Sequence, residues 1–134
     1  MPLIYNRLVI KLGTGLLTAG TDHLNLQTMA TLVEQMTSLH QQNAEIVVVS
    51  SGAVAAGRHK LGKAQALHNI AHKQVLASIG QSSLMHAYEQ LFGWHDITVA
   101  QALLTRADIM SRAGYLNARN TLLTLLELKA IYIV

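Results

Sequence analysis

An α/β domain built on a mainly parallel sheet, with helices covering both faces, is the fold this sequence predicts. Three observations predict it. Short apolar runs occur at Leu8-Val9-Ile10-Lys11-Leu12, Ile46-Val47-Val48-Val49, Ile97 to Leu104 and Ala130-Ile131-Tyr132-Ile133-Val134. They lack the alternation of half-buried strands and read as strands buried on both faces. Segments of helical periodicity separate them, the βαβα order of parallel sheets. Finally, 134 residues make one core with little left for a second, so residues 1–134 are read as one domain.

Taken in order, the first strand ends at Gly13-Thr14-Gly15, a glycine-bracketed turn expected to form a loop. Asn25 is a plausible N-cap for a helix whose apolar stripe is Leu26, Met29, Leu32 or Val33, Met36 and Leu39. The core strand from Ile46 follows and runs into Ser50-Ser51-Gly52-Ala53, where small residues begin another helical stretch. Gly57 and Gly62 bracket Arg58-His59-Lys60, which is expected to be a mobile loop. A long helix spans about 69–91, with Leu76, Ile79, Leu84, Tyr88 and Leu91 near one face. Gly80 inside it costs roughly 1 kcal/mol relative to alanine, so close approach of another backbone is expected there. After the third strand, Thr105 and Asp108 fit a capping-box start to one helical region running toward Leu126. The last strand stops at Val134 without a turn, cap or polar tail, so a C-terminal portion is expected beyond it.

Composition narrows the chemistry. Hydrophobic residues make up 51% and charged residues 13%, an oily balance that suggests association with another copy or another part of a longer chain. The formal charge is +3, with scattered basic residues and 4% aromatics, which disfavours nucleic acid because neither a basic stripe nor a stacking platform is present. There are no cysteines, so disulfides and thiolate metal sites are excluded. Only three apolar residues lie between Arg7 and Lys11, too few for a secretory h-region, and no run reaches the ~18 apolar residues of a membrane span. A cytoplasmic protein without a membrane partner is the expectation.

Ligands of parallel sheets gather at the carboxyl ends of the strands. Lys11 to Gly15 and Ser50 to Gly52 both lie at such ends, so they are expected to share one site for an anion, served by orphan N–H groups at helix starts. A lysine inside an apolar strand is expensive unless its ammonium reaches water or an anion, and the adjoining glycines favour the anion over simple snorkelling. Ser51 has a plainer reading as a helix N-cap, compatible with an anion site. Gly52 to Gly57 has Walker A spacing but continues Arg58-His59 instead of Lys-Ser/Thr, and Gly13-Thr14-Gly15 lacks the third glycine of a dinucleotide fingerprint. His68 and His72 are spaced as zinc ligands, but no Glu or third ligand accompanies them, and a solvated or interface pair is the better reading. His59, His86 and His95 lack relay partners; Arg106 with Asp108, and Asn117 with Arg119, read as helix-start and packing contacts.

The sequence also resembles the N-terminal part of the glutamate 5-kinase family, in the amino acid kinase superfamily. The resemblance rests on Val9-Ile10-Lys11-Leu12-Gly13-Thr14, Val49-Ser50-Ser51-Gly52-Ala53-Val54-Ala55-Ala56-Gly57-Arg58, Lys73-Gln74 and Gly80-Gln81. Leu103-Leu104-Thr105-Arg106-Ala107-Asp108 and Tyr115-Leu116-Asn117-Ala118-Arg119-Asn120-Thr121-Leu122 carry it nearly to the end. It implies a three-layer α/β/α sandwich, truncated, and transfer of the γ-phosphoryl of ATP to the side-chain carboxylate of L-glutamate for proline biosynthesis. It implies Lys11 on the transferring phosphoryl group, Gly13 and Thr14 beside the ATP phosphates, and Ser51, Gly52 and Ala53 on glutamate. It further implies Mg2+ with ATP, although no carboxylate cluster here would hold it, and no metal ligand is assigned.

Two departures from the family pattern stand out. Gly15 replaces the usual serine, and Ala113-Gly114 replaces a more polar stretch. With the ATP-binding half expected beyond Val134, the 134 residues alone are expected to show little or no kinase activity. The alternatives are another phosphotransferase of the superfamily, such as an acetylglutamate or uridylate kinase, or a non-catalytic binding or assembly module.

Overall fold

The computed structural model describes residues 2–62, 70–102 and 104–134. Its central strands are where the sequence is most uniformly apolar. The strand β2 (Glu45–Ser50) pairs in parallel with β1 (Arg7–Leu12) on one side, from Arg7↔Glu45 to Leu12↔Ser50. On its other side it pairs with β4 (Ile131–Ile133), through Val47↔Tyr132 and Val48↔Ile133, and β4 pairs with β3 (Val99–Gln101). The order is β1-β2-β4-β3, parallel throughout. Consecutive β2 and β3 are separated by β4, so the connection between them crosses over the sheet.

Parallel partners point to the same face, so the register sorts the core. On one face Leu12, Ile46, Val48, Ile131 and Ile133 meet Met29, Val33 and Met36 of α2 (Leu26–Gln41) and Leu84, Tyr88 and Phe92 of α4 (Ile70–Gly93). On the other face Val47 and Tyr132 meet Leu126 of α6 (Arg112–Glu127). Helices thus lie on both faces, as the uniformly apolar strands required. On the second face β1 is bare, with Val9 68% exposed.

Local chemistry sets most boundaries. Asn25 caps α2 as expected, its Oδ1 accepting the Thr28 N–H at 2.8 Å. Val33, rather than Leu32, takes the buried place in the stripe, and Leu26 at the first turn stays exposed. Thr105 and Asp108 form the expected capping box at the start of α5 (Arg106–Met110), with the Thr105 N–H donating to Asp108 Oδ2 at 2.9 Å.

Four expectations are corrected. The turn at Gly13 does not form a loop; it enters α1 (Thr14–Thr18) at once. Arg58-His59-Lys60 is not a mobile loop but the last turn of α3 (Ala53–Leu61), which continues through Gly57. The third strand, expected from Ile97 to Leu104, narrows to Val99–Gln101: the turn after α4 holds the Ile97 N–H on Phe92 O, and Leu103 lies outside the described residues. The helical region after Thr105 is two helices, because Ser111 leaves helical geometry (φ −87°, ψ 142°) and its Oγ caps α6 through the Gly114 N–H at 3.0 Å. Gly114 belongs to that break: a Cβ there would lie 2.4 Å from the Asp108 carbonyl oxygen.

Gly57 reads as a breaker in sequence because its reason is tertiary. The helices α3 and α4 cross with their backbones in contact. A Cβ on Gly57 would fall 2.0 Å from Leu76 O, and one on Gly80 would fall 1.7 Å from Ala53 O and 2.5 Å from Gly57 N. The close approach expected at Gly80 is therefore present, and its partner is α3. Gly80→Ala should cost about 3 kcal/mol or more in urea denaturation, because rigid backbone on α3 must move. Gly93→Ala, where a Cβ meets nothing within 4 Å, should leave stability unchanged or raise it by up to about 1 kcal/mol.

Candidate functional site

The carboxyl ends of β1 and β2 lie side by side, and a helix starts from each. Leu12 pairs with Ser50, and the Ser51 N–H donates to Leu12 O at 2.9 Å, tying the two turns together. The helix α1 begins after Gly13 and α3 after Gly52, and neither N-cap residue supplies a side-chain hydrogen bond. By contrast Asn25, Thr105 and Ser111 each cap their own helix. The first-turn N–H groups of α1 and α3 are thus left for water or a ligand, at the positive end of each helix.

The expected residues converge on this shelf. Lys11 is exposed at the end of β1, and Gly13 and Thr14 open α1 immediately after it. Ser51 is exposed in the turn after β2, Gly52 is the buried N-cap of α3, and Ala53 is its first residue. The ion pairs among the described residues are Arg7 with Glu45 (2.6 Å) and Asp22 with His23 (3.0 Å); neither involves Lys11. Lys11 thus lies one residue before the end of β1, close in the chain to the start of α1, without a carboxylate ion-paired to it among the described residues. Such an arrangement attracts anions and can stabilise negative charge that develops on them.

The capping role considered for Ser51 is not realised. The cap position falls one residue later, on Gly52, whose φ of +108° lies in the left-handed region that glycine favours. A side chain there would also press on Leu24 and Leu17 at 3.2 and 3.3 Å. Gly15 is different: a Cβ on it meets nothing within 4 Å, so space does not require glycine there.

One contributor was not singled out in the sequence. Tyr88, fully buried on α4, places its Oη 2.6 Å from Ser50 Oγ, and Ser50 Oγ donates to Ser51 O at 2.9 Å. Burial pushes the Tyr88 phenol above its ordinary pKa. The available signal was a tyrosine on an otherwise apolar helix face, because a buried phenol needs a partner.

The histidines take other roles. His59 stacks on His23 with ring centroids 4.9 Å apart; His86 and His95 are exposed, and His72 is buried on α4, not solvated. His68 lies outside the described residues. Among the described residues no three or more His, Cys, Asp or Glu side chains are grouped to hold a metal ion, and no helix is long and apolar enough to cross a membrane. A cleft lined by His40, Glu45, Glu127 and Lys129 opens at the opposite, amino end of the strands, away from the shelf.

The sequence pattern of the amino acid kinase family matches residues 6–134. Relatives include proteins named glutamate 5-kinase from Dehalococcoides mccartyi (strain CBDB1), 57% identical over 130 residues, and from Herpetosiphon aurantiacus, 50% identical over 131 residues. The alignments take in 97% and 98% of this chain but 35% of each relative, so the chain spans about a third of the length of the relatives it matches.

The raised Tyr88 pKa sets an alkaline limit. A buried phenol held protonated contributes stability that is fully present below about pH 10, the unfolded tyrosine value, and is lost as pH rises through the higher folded value. Tyr132 is shifted the same way by burial. Urea midpoints should therefore hold from pH 8 to about pH 10 and fall above it, and Tyr88→Phe should make that fall shallower while the Tyr132 share remains.

Proposed function

Because this chain belongs to the amino acid kinase family, we propose that it forms the acceptor side of an enzyme that phosphorylates the side-chain carboxylate of L-glutamate with ATP. The observation that carries this reading is the shelf itself. Two uncapped helix starts and an unneutralised lysine meet at the ends of two paired strands, and the relatives that share this region are named glutamate 5-kinase. Phosphoryl transfer needs positioning and charge stabilisation more than a protein nucleophile, and those are what a lysine and a set of N–H donors offer.

In this reading the glutamate side-chain carboxylate attacks the γ-phosphorus, and the bond from that phosphorus to the β–γ bridging oxygen breaks. ADP leaves, and glutamyl 5-phosphate enters proline biosynthesis. Lys11 faces the transferring phosphoryl group. The absence of a Cβ at Gly13 lets the α1 backbone approach the phosphates, with Thr14 beside them. Ser51, Gly52 and Ala53 hold glutamate through the Ser51 hydroxyl and the first N–H groups of α3. Magnesium ordinarily accompanies ATP and neutralises its phosphates. The described residues do not fit a dedicated site for it, since no acidic cluster stands near the shelf. The nucleotide is assigned to the part of the relatives' length that this chain does not span.

The same reading places the protein in the cytoplasm and has it self-associate through exposed apolar groups on α5 and α6, among them Ile109, Met110, Tyr115 and Leu116.

Titration of the 134-residue chain with L-glutamate, beside a coupled assay for ADP, tests the proposal. Binding of glutamate, and neither N-acetylglutamate nor UMP, is expected with little or no turnover. Ser51→Ala should weaken that binding about tenfold, whereas Lys11→Met, acting on the phosphoryl group, should change it by less than about threefold. Robust turnover by the chain alone would overturn the division between acceptor and nucleotide sides. Failure to bind glutamate would overturn the acceptor assignment.

A further inference from the structure

The hydrogen bonds beneath the turn from β2 to α3 fit together in one direction only. Ser50 Oγ lies 2.9 Å from Ser51 O and 2.6 Å from Tyr88 Oη. A carbonyl oxygen accepts and never donates, and a serine has a single hydroxyl proton. With that proton on the Ser51 carbonyl, the proton between Ser50 and Tyr88 must come from the phenol. We propose that Tyr88 is a positioning residue for the acceptor site. The chain Tyr88 O–H to Ser50 Oγ–H to Ser51 C=O sets the plane of the Ser51–Gly52 peptide and so aims the Gly52 N–H. The inference rests on the acceptor reading given above.

The need for such a device follows from glycine at position 52. At a φ of +108° any residue with a Cβ is strained, and its side chain would press on Leu24 and Leu17. The same lack of a side chain leaves the adjoining peptide free to rotate, so nothing in Gly52 itself selects one orientation. The preceding peptide is already held by the Ser51 N–H on Leu12 O. The Ser51–Gly52 peptide is the one in the turn that the sheet does not fix. No cis bond occurs among the described residues, and in a trans peptide the C=O and N–H point in opposite directions. Holding Ser51 O on Ser50 therefore turns the Gly52 N–H away from that hydroxyl.

Tyr88 is fit to be the fixed end of the chain. Its ring is fully buried and stacks near Phe92, with centroids 6.3 Å apart. The helix that carries it is locked to α3 by the backbone contact at Gly57 and Gly80. The phenolic oxygen is thus referenced to the helix whose first turn it helps to orient.

Amide NMR of the 134-residue chain, with glutamate titrations, tests this on Tyr88→Phe, Ser50→Ala, the double variant and Ser50→Thr, which keeps a hydroxyl. Tyr88→Phe and Ser50→Ala should each shift the Gly52 amide resonance and weaken glutamate about five- to tenfold. The double variant should be no worse than either single one, because one chain is cut either way. Ser50→Thr should stay close to the wild type. An unmoved Gly52 resonance in a folded Tyr88→Phe protein, or additive losses in the double variant, would overturn the proposal. If the wild type fails to bind glutamate while Gly52 still responds to Tyr88→Phe, the relay stands and the acceptor reading falls.

Discussion

The contact on which the rest of this structure depends is the crossing of α3 and α4 at Gly57 and Gly80. Backbone meets backbone there, closer than any Cβ would allow. Interiors are packed to crystal-like density, so two helices this close behave as one rigid piece. One of them begins at the shelf and the other carries Tyr88 beneath it. A contact made from the absence of side chains therefore fixes the position of donors and of the hydroxyl that orients them.

The shelf itself is built from groups that most helices satisfy. The helices α2, α5 and α6 have side-chain caps, whereas α1 and α3 begin on glycines without one. A cap is worth about 1 kcal/mol, and leaving it out forgoes that stability. What is left is two helix starts whose first-turn N–H groups no side chain caps, at the strand ends where Lys11 lies. The cost is carried by the sheet below, where Ile46, Val48 and Ile131 are fully buried. The in-register pairing of Leu12 with Ser50 brings the two helix starts together.

Departures from local expectation cluster around the same region. Glycine in a sequence signals a turn, so local reasoning predicts a loop at Gly13 and another between Gly57 and Gly62. Neither glycine makes a loop: Gly13 is an uncapped helix start with open space around it, and Gly57 is half of the crossing. The break at Ser111 was hidden for a related reason. Serine is tolerated within helices, and only the packing of Gly114 against the Asp108 carbonyl shows why the chain turns there.

What the sequence determined by itself was the strands and their alternation with helices, the caps at Asn25 and Thr105, and the placing of Lys11, Ser51 and Gly52 at one end of the sheet. Those features rest on short-range chemistry: apolar runs, a side chain reaching its own backbone, and the rule that parallel strands present their carboxyl ends together. What only the tertiary structure decided was the continuous α3, the cap position on Gly52 instead of Ser51, and the link from Tyr88 to Ser50. Each depends on contact between residues far apart in the chain, Gly57 with Gly80 and Ser50 with Tyr88. Local propensity has no access to that information, since it arises only when the helices pack.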